Sequence, residues 1–249
     1  MKLENKIALV TGASTGIGVA TVKKFLAEGA TVYGTGIKSD KVSDITGKFT
    51  FIPCDVTNPK EIENVCGRIE DEQGKLDILV TVAEKLFRGG ITEVSPCDIE
   101  EANKHILIAP MLFTKYCNNM LHKSDNGAIL HNVPISAYMI EKDYLNASYN
   151  TALVNYVRQC SSQIRPVRVN AILFGIMKDH LMTPDEIAVY EMPERLVKIP
   201  AGRIGESIDV ANVTAFLASD KARYLNSGAW TVDGGYYTMN ARAVGNNGI

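Results

Sequence analysis

Seven short apolar runs punctuate the chain, near residues 6–11, 31–35, 49–53, 77–82, 127–132, 167–173 and 228–232. Most are rich in Val, Ile, Leu and Ala, and the others carry β-favouring Tyr, Phe, Trp and Thr. That is the pattern of a strand buried on both faces, whereas a half-exposed strand alternates apolar with polar residues. The stretches between the runs are longer and carry helical spacing. Strand and helix therefore alternate, which predicts repeated βαβ units and an α/β fold with helices on both faces of a seven-stranded parallel sheet.

Three segments break the rhythm. Residues 38–48, "KSDKVSDITGK", are too short for a full crossover helix and predict only a turn or two. Residues 176–200 carry three prolines and mixed apolar spacing, which reads either as a substrate lid over a site or as a plain surface insertion. The tail "MNARAVGNNGI" is polar and glycine-rich, a composition suited to a loose end or to packing on a neighbouring subunit. No repeat or linker divides the chain, so a single domain over residues 1–249 is expected.

Composition narrows the function classes. A net charge of −2 gives no electrostatic footprint for nucleic acid or an anionic membrane. Cys54, Cys66, Cys97, Cys117 and Cys160 are odd in number and contain no C-x-x-C pair, which argues against a disulfide framework or a metal site and for reduced thiols. No apolar run approaches the roughly 18 residues of a membrane span, and "IALV" is short for a signal peptide. The expectation is a cytoplasmic protein with small-molecule partners and no nucleic acid, membrane or metal.

Chemistry begins directly after the first strand, in "TGASTGIG" from Thr11 to Gly18. Glycines there let the backbone turn sharply and approach a pyrophosphate, while the helix that follows offers unpaired N–H groups and the positive end of its dipole. The position of the loop, between a predicted strand and an amphipathic helix, makes the fold Rossmann-like and the ligand a dinucleotide. NAD and NADP remain open. At the end of the second strand, "YGTGIKSD" puts Thr35, Gly36 and Ile37 where an acid for NAD or a base for NADP would stand, with Lys38 one residue late.

The motifs "TGASTGIG", "CDVT" at 54–57, "LDILV" at 76–80, "RVNAI" at 168–172, "RIGESIDVANVTAFLASD" at 203–220 and "VDGG" at 232–235 span almost the whole sequence. Together they resemble a short-chain dehydrogenase/reductase. The resemblance implies a nicotinamide dinucleotide held by Gly12, Ser14, Thr15, Gly16, Ile17, Gly18, Ile37, Asp55, Val56 and Ala83, with Asp55 on the adenine. It also implies a homotetramer or homodimer built on long helices near 99–121 and 146–163 and on the last strand.

In that family a tyrosine acts as acid/base, a lysine four residues later lowers its pKa, a serine holds the substrate oxygen and an asparagine anchors a water relay. Fixing the helix by "TALVNYVR" puts the tyrosine position on Asn146 and the lysine position on Asn150. The serine position falls on Val133 or Pro134, and the asparagine position on Ile106. None of these side chains titrates near neutral pH. Two other registers exist. A literal Y-x-x-x-K runs from Tyr138 to Lys142, and Ser136 and Tyr149 have the family's Ser-to-Tyr separation, although Leu153 then stands in the lysine position.

The nicotinamide end departs elsewhere too. The family's "NNAG" reads Thr81 to Glu84, its "PG" reads Phe174 and Gly175, and the threonine that follows falls on Asp179. Glu84, His131, Tyr149, Asp179 and His180 are groups able to carry protons, of which Tyr149, Glu84 and His180 are the candidate substitutes. Two readings follow: a degenerate, dinucleotide-binding or regulatory family member without standard activity, or an atypical enzyme doing hydride transfer or non-redox proton transfer with non-standard residues.

Overall fold

The computed structural model describes residues 1–82, 85–140 and 143–239. Its seven strands are β1 (Ile7–Val10), β2 (Thr31–Gly36), β3 (Phe49–Pro53), β4 (Ile78–Thr81), β5 (Ala128–Pro134), β6 (Arg168–Phe174) and β7 (Ala229–Val232). They form one sheet in the order β3-β2-β1-β4-β5-β6-β7, with every pairing parallel. The chain reverses direction across the sheet between β1 and β4, which is where an open α/β sheet binds ligands.

Both faces are covered, so the strands need no polar side. Along β1, Ile7 and Leu9 enter one core with Ile62, Phe113, Met120 and Val157, while Ala8 and Val10 enter the other with Ile17, Phe25, Val210 and Ala215. Helices α1 (Gly16–Ala27) and, last in the chain, α8 (Ser207–Ala218) cover one face. On the other lie α2 (Pro59–Gln73), α4 (Ala109–His122) and α5 (Tyr144–Gln163). Short α3 (Pro96–Ala102) precedes α4, and α6 (Pro184–Tyr190) and α7 (Pro193–Leu196) lie within the 176–200 segment. Residues 38–48 form turns without a helix.

The long helix expected at 99–121 is a correction. It starts at Pro96 and is interrupted by a π-helical stretch, Asn103–Ile108, before α4 begins. Pro110 explains the change: it has no N–H for the carbonyl four residues back, and the backbone widens so that the Ala109 N–H reaches the Lys104 carbonyl instead. The last ten residues of the tail, 240–249, lie outside the described residues. No helix among the described residues is long and apolar enough to cross a membrane.

His131 is the one histidine inside the sheet. Its Nδ1 lies 2.8 Å from the Thr81 hydroxyl, and its Nε2 has no partner. Burial pushes the imidazole pKa down to about 4. An unfolded imidazole titrates near ~6.5, so as pH falls the unfolded chain takes up the proton first and stability is lost between about 6.5 and 4. The loss from this group is at most about 3 kcal/mol. Urea denaturation at about pH 7 and about pH 4.5 should show it, and His131→Gln should reduce the difference between the two midpoints. An undiminished difference would assign the acid lability to other groups.

Candidate functional site

The turn from β1 into α1 is built by glycines and one cap. Gly12 has φ +61°, and a Cβ on it would lie 1.8 Å from the Val82 carbonyl oxygen, so only glycine lets the loop cross the end of β4. Thr15 closes the turn: its Oγ1 accepts from the Gly18 N–H at 3.3 Å and donates to the Gly12 carbonyl at 2.8 Å. Ser14, Thr15, Gly16, Ile17 and Gly18 thereby set the N-terminus of α1 at the C-terminal edge of the sheet, an anion-binding arrangement.

The N–H of Ile17 is taken by the chain itself. It donates to Nδ1 of His180 at 3.1 Å, and the His180 side chain is buried. The ring meets Phe174 edge-on, with centroids 5.4 Å apart. Asp179 next to it accepts from the backbone N–H and the hydroxyl of Ser207 at 2.8 and 2.7 Å. Its carbonyl lies so close to Gly16 that a Cβ there would meet it at 2.0 Å.

Beyond the ends of β2 and β3 the surface is open. Ser14, Ile37, Lys38, Asp40 and Lys41 line a depression of about 340 Å³, and Ile37 is 71% exposed at its rim. The Asp55 carboxylate accepts from the Thr57 N–H and hydroxyl at 2.8 and 2.7 Å. The backbone bond from Thr57 is the main reason its pKa lies below the ordinary carboxylate value. Val56 packs against the core. Ala83 and Glu84 lie outside the described residues.

At the opposite end, four positions far apart in sequence converge. Ile106 from the π-helical stretch, Pro134 from the end of β5, and Asn146 and Asn150 from α5 line a cavity of about 70 Å³ with Lys85, Leu86, Ser136 and Leu181. The Ser136 hydroxyl has no hydrogen-bond partner among the described residues. Asn146 is occupied: its Nδ2 donates to the Phe87 carbonyl at 2.6 Å, and its Oδ1 accepts from the Phe87 N–H at 3.4 Å. One amide thus holds both backbone polar groups of a single residue, its N–H and its carbonyl.

The loop it grips had no signal in the sequence. Residues 85–90 are further tied by Lys85 to Glu101, by the Gly89 N–H to the Asp143 carboxylate at 2.9 Å, and by Arg88 to Glu186 of α6. Phe87 packs with Ala102, Ile106 and Leu145. Tyr149 joins that cluster from outside, and its hydroxyl donates to the Ile99 carbonyl at 3.2 Å rather than lining the cavity. Tyr138 stands in a 3₁₀ turn against Tyr237, while Lys142 lies outside the described residues. Of the candidate substitutes, His180 sits at the α1 terminus and Tyr149, in α5, points its hydroxyl at Ile99 of α3, so the described ones do not form a cluster.

The family model for enoyl-(acyl carrier protein) reductase matches residues 12–237. The chain belongs to the short-chain dehydrogenase/reductase family, a family of oxidoreductases. It is 32% identical to the 3-oxoacyl-[acyl-carrier-protein] reductase of Escherichia coli (strain K12), covering 96% of this chain and all of that one, 100%. It is 29% identical to the 2,5-dichloro-2,5-cyclohexadiene-1,4-diol dehydrogenase of Sphingobium indicum, over 94% of this chain and 97% of the relative. The ligand-free aldohexose dehydrogenase of Thermoplasma acidophilum superposes with a TM-score of 0.85 at 27% identity, covering 95% of each chain.

The residues of this family member fit a nicotinamide dinucleotide in part. The depression beside Ser14 and Lys38 has room for an adenosine, and no acid stands at Ile37. The glycine turn has the close-approach geometry a pyrophosphate needs, but His180 lies on its N–H. Deeper in the sheet, Asn132 is buried with both amide atoms unpaired among the described residues, a polar group that a bound ligand could satisfy. Asn146→Ala removes the clamp on residues 85–90 and should destabilise the fold by about 1–2 kcal/mol. Limited proteolysis should then cut in that loop faster; unchanged cleavage would mean the ion pairs hold the loop without Asn146.

Proposed function

We propose that this chain is a dinucleotide-binding short-chain dehydrogenase/reductase with a degenerate active site, acting in a binding or regulatory role rather than as a standard reductase. The observation that carries this reading is the reciprocal hydrogen bond of Asn146 to Phe87. A bound nicotinamide would supply a hydride, and the oxygen of the acceptor would need a proton at the same time. A carboxamide that does not titrate and is already hydrogen-bonded to the Phe87 backbone cannot provide one. Ile106, Pro134 and Asn150 around it add no acid, Ser136 supplies a hydroxyl but no base, and Lys85, the one titratable side chain in the lining, is paired with Glu101.

Gly12, Ser14, Thr15, Gly16, Ile17, Gly18, Ile37, Asp55 and Val56 are the residues we assign to the cofactor, with Ala83 alongside. NADP is favoured over NAD. Lys38 and Lys41 flank the depression at the end of β2, Asp40 is the single acid there, and no carboxylate replaces Ile37 to hold a ribose hydroxyl. Residues 176–200, with α6 tied to the 85–90 loop through Glu186 and Arg88, act as the lid. The two long helices α4 and α5 suit a homotetramer or homodimer, which light scattering would read directly.

The second reading is an atypical enzyme. The names of the relatives favour it, since they are reductases and dehydrogenases of about this length, and so do the unpaired Ser136 hydroxyl and Asn132 amide. Both readings are decided by two measurements. NADPH should bind about tenfold more tightly than NADH by fluorescence titration, and Lys38→Ala with Lys41→Ala should abolish the preference. The unaltered chain should reduce simple ketones at no more than about 10⁻² of the rate of the combined variant Asn146→Tyr, Asn150→Lys, Pro134→Ser, Ile106→Asn. Brisk turnover by the unaltered chain would overturn the first reading and establish the second.

A further inference from the structure

We infer that His180 is a built-in plug of the dinucleotide site, so that the chain must withdraw its own residues 176–181 before a pyrophosphate can bind. The inference rests on the dinucleotide reading above and adds to it a closed state and the residue that holds it closed.

The physical case starts from a single donor. The first N–H groups of a helix have no partner within the helix, and after a glycine turn they are the groups that receive a pyrophosphate. In α1 the Ile17 N–H already points at Nδ1 of His180, 3.1 Å away. One N–H cannot serve the imidazole and a phosphate oxygen together, and the buried ring takes up the volume in front of the helix.

The contact is not a lone side chain resting on a surface. Met177 bridges to Gly205 through two backbone bonds: the Lys178 N–H donates to the Gly205 carbonyl at 2.8 Å, and the Gly205 N–H to the Ile176 carbonyl at 2.9 Å. Asp179 is anchored on Ser207 by two bonds, and its carbonyl is pressed against Gly16. Phe174 backs the His180 ring. The segment then turns at Leu181, which adopts φ +56° and lines the 70 Å³ cavity. One short stretch therefore covers the phosphate cradle with His180 and the cavity with Leu181. Withdrawal would uncover both at once.

A ligand that needs the open form pays for opening, and its apparent affinity falls by the fraction of molecules that are open. Removing the plug should raise that fraction. Titration with NADPH, followed by its fluorescence, should give a dissociation constant at least about tenfold lower for His180→Ala than for the unaltered chain. Asp179→Ala keeps the ring but cuts both bonds to Ser207, and should show a smaller gain in the same direction. Amide hydrogen exchange supplies a readout that needs no nucleotide: the Ile17 N–H should exchange faster in both variants. Asp179→Ala also keeps the test intact if His180→Ala folds poorly.

Faster Ile17 exchange with tighter NADPH binding supports the plug. Equal dissociation constants in all three proteins would overturn it while leaving the dinucleotide reading standing. Weaker binding by His180→Ala would overturn it too, because the imidazole would then belong to the binding surface. If neither the unaltered chain nor the variants bind NADPH at millimolar concentration, the dinucleotide reading and the plug fall together.

Discussion

The unpaired N–H groups at the start of α1 are the constraint around which the rest of the site is arranged. A parallel sheet forces the chain to cross from the end of β1 over the end of β4, and only Gly12, with its positive φ and the Val82 carbonyl against it, allows that crossing. The crossing leaves a helix terminus at the sheet edge with donors to satisfy. Thr15 takes the Gly18 N–H and His180 takes that of Ile17. The second bond draws the segment after β6 across the glycine turn, and this sets what the rest of the pocket can hold.

The same logic runs through the other end of the site. Loop 85–90 has no secondary structure, so its backbone groups need side-chain partners. Asn146 satisfies the Phe87 N–H and carbonyl, and Asp143 the Gly89 N–H. An amide matches a peptide group in size and in having one donor and one acceptor side, which a tyrosine at that position would not. Asn146 thus closes the loop from the first turn of α5. The π-helical stretch shows the opposite behaviour: Pro110 still widens the backbone, and the bulge still delivers residue 106 to the cavity, although the side chain delivered is an isoleucine.

Much of this was legible before any coordinates. The seven apolar runs fall on the seven strands, because burial on both faces makes β1, β4, β5 and β6 mainly apolar, with the buried polar exceptions Thr81, His131, Asn132, Arg168 and Asn170. The glycine turn was legible because φ +61° at Gly12 and the close approach at Gly16 exclude other residues. Positions 106, 134, 146 and 150 were singled out only by the family resemblance, and in the structure all four line one cavity. The helix at 99–121 was misjudged at its start and missed its π stretch, and Pro110 was the overlooked signal.

What the sequence by itself determined is the architecture and the place of the glycine turn after β1, since both follow from local chemistry: apolar periodicity and glycine conformation. Only the tertiary structure decided who occupies that address. Ile17 and His180 are 163 residues apart, and Phe87 and Asn146 are 59 apart. Hydrogen bonds across such distances leave no pattern in composition or spacing, because a histidine or an asparagine reads the same whether solvated or pressed against a distant peptide group. The fold brings those partners together, and with them the difference between an open pocket and a closed one.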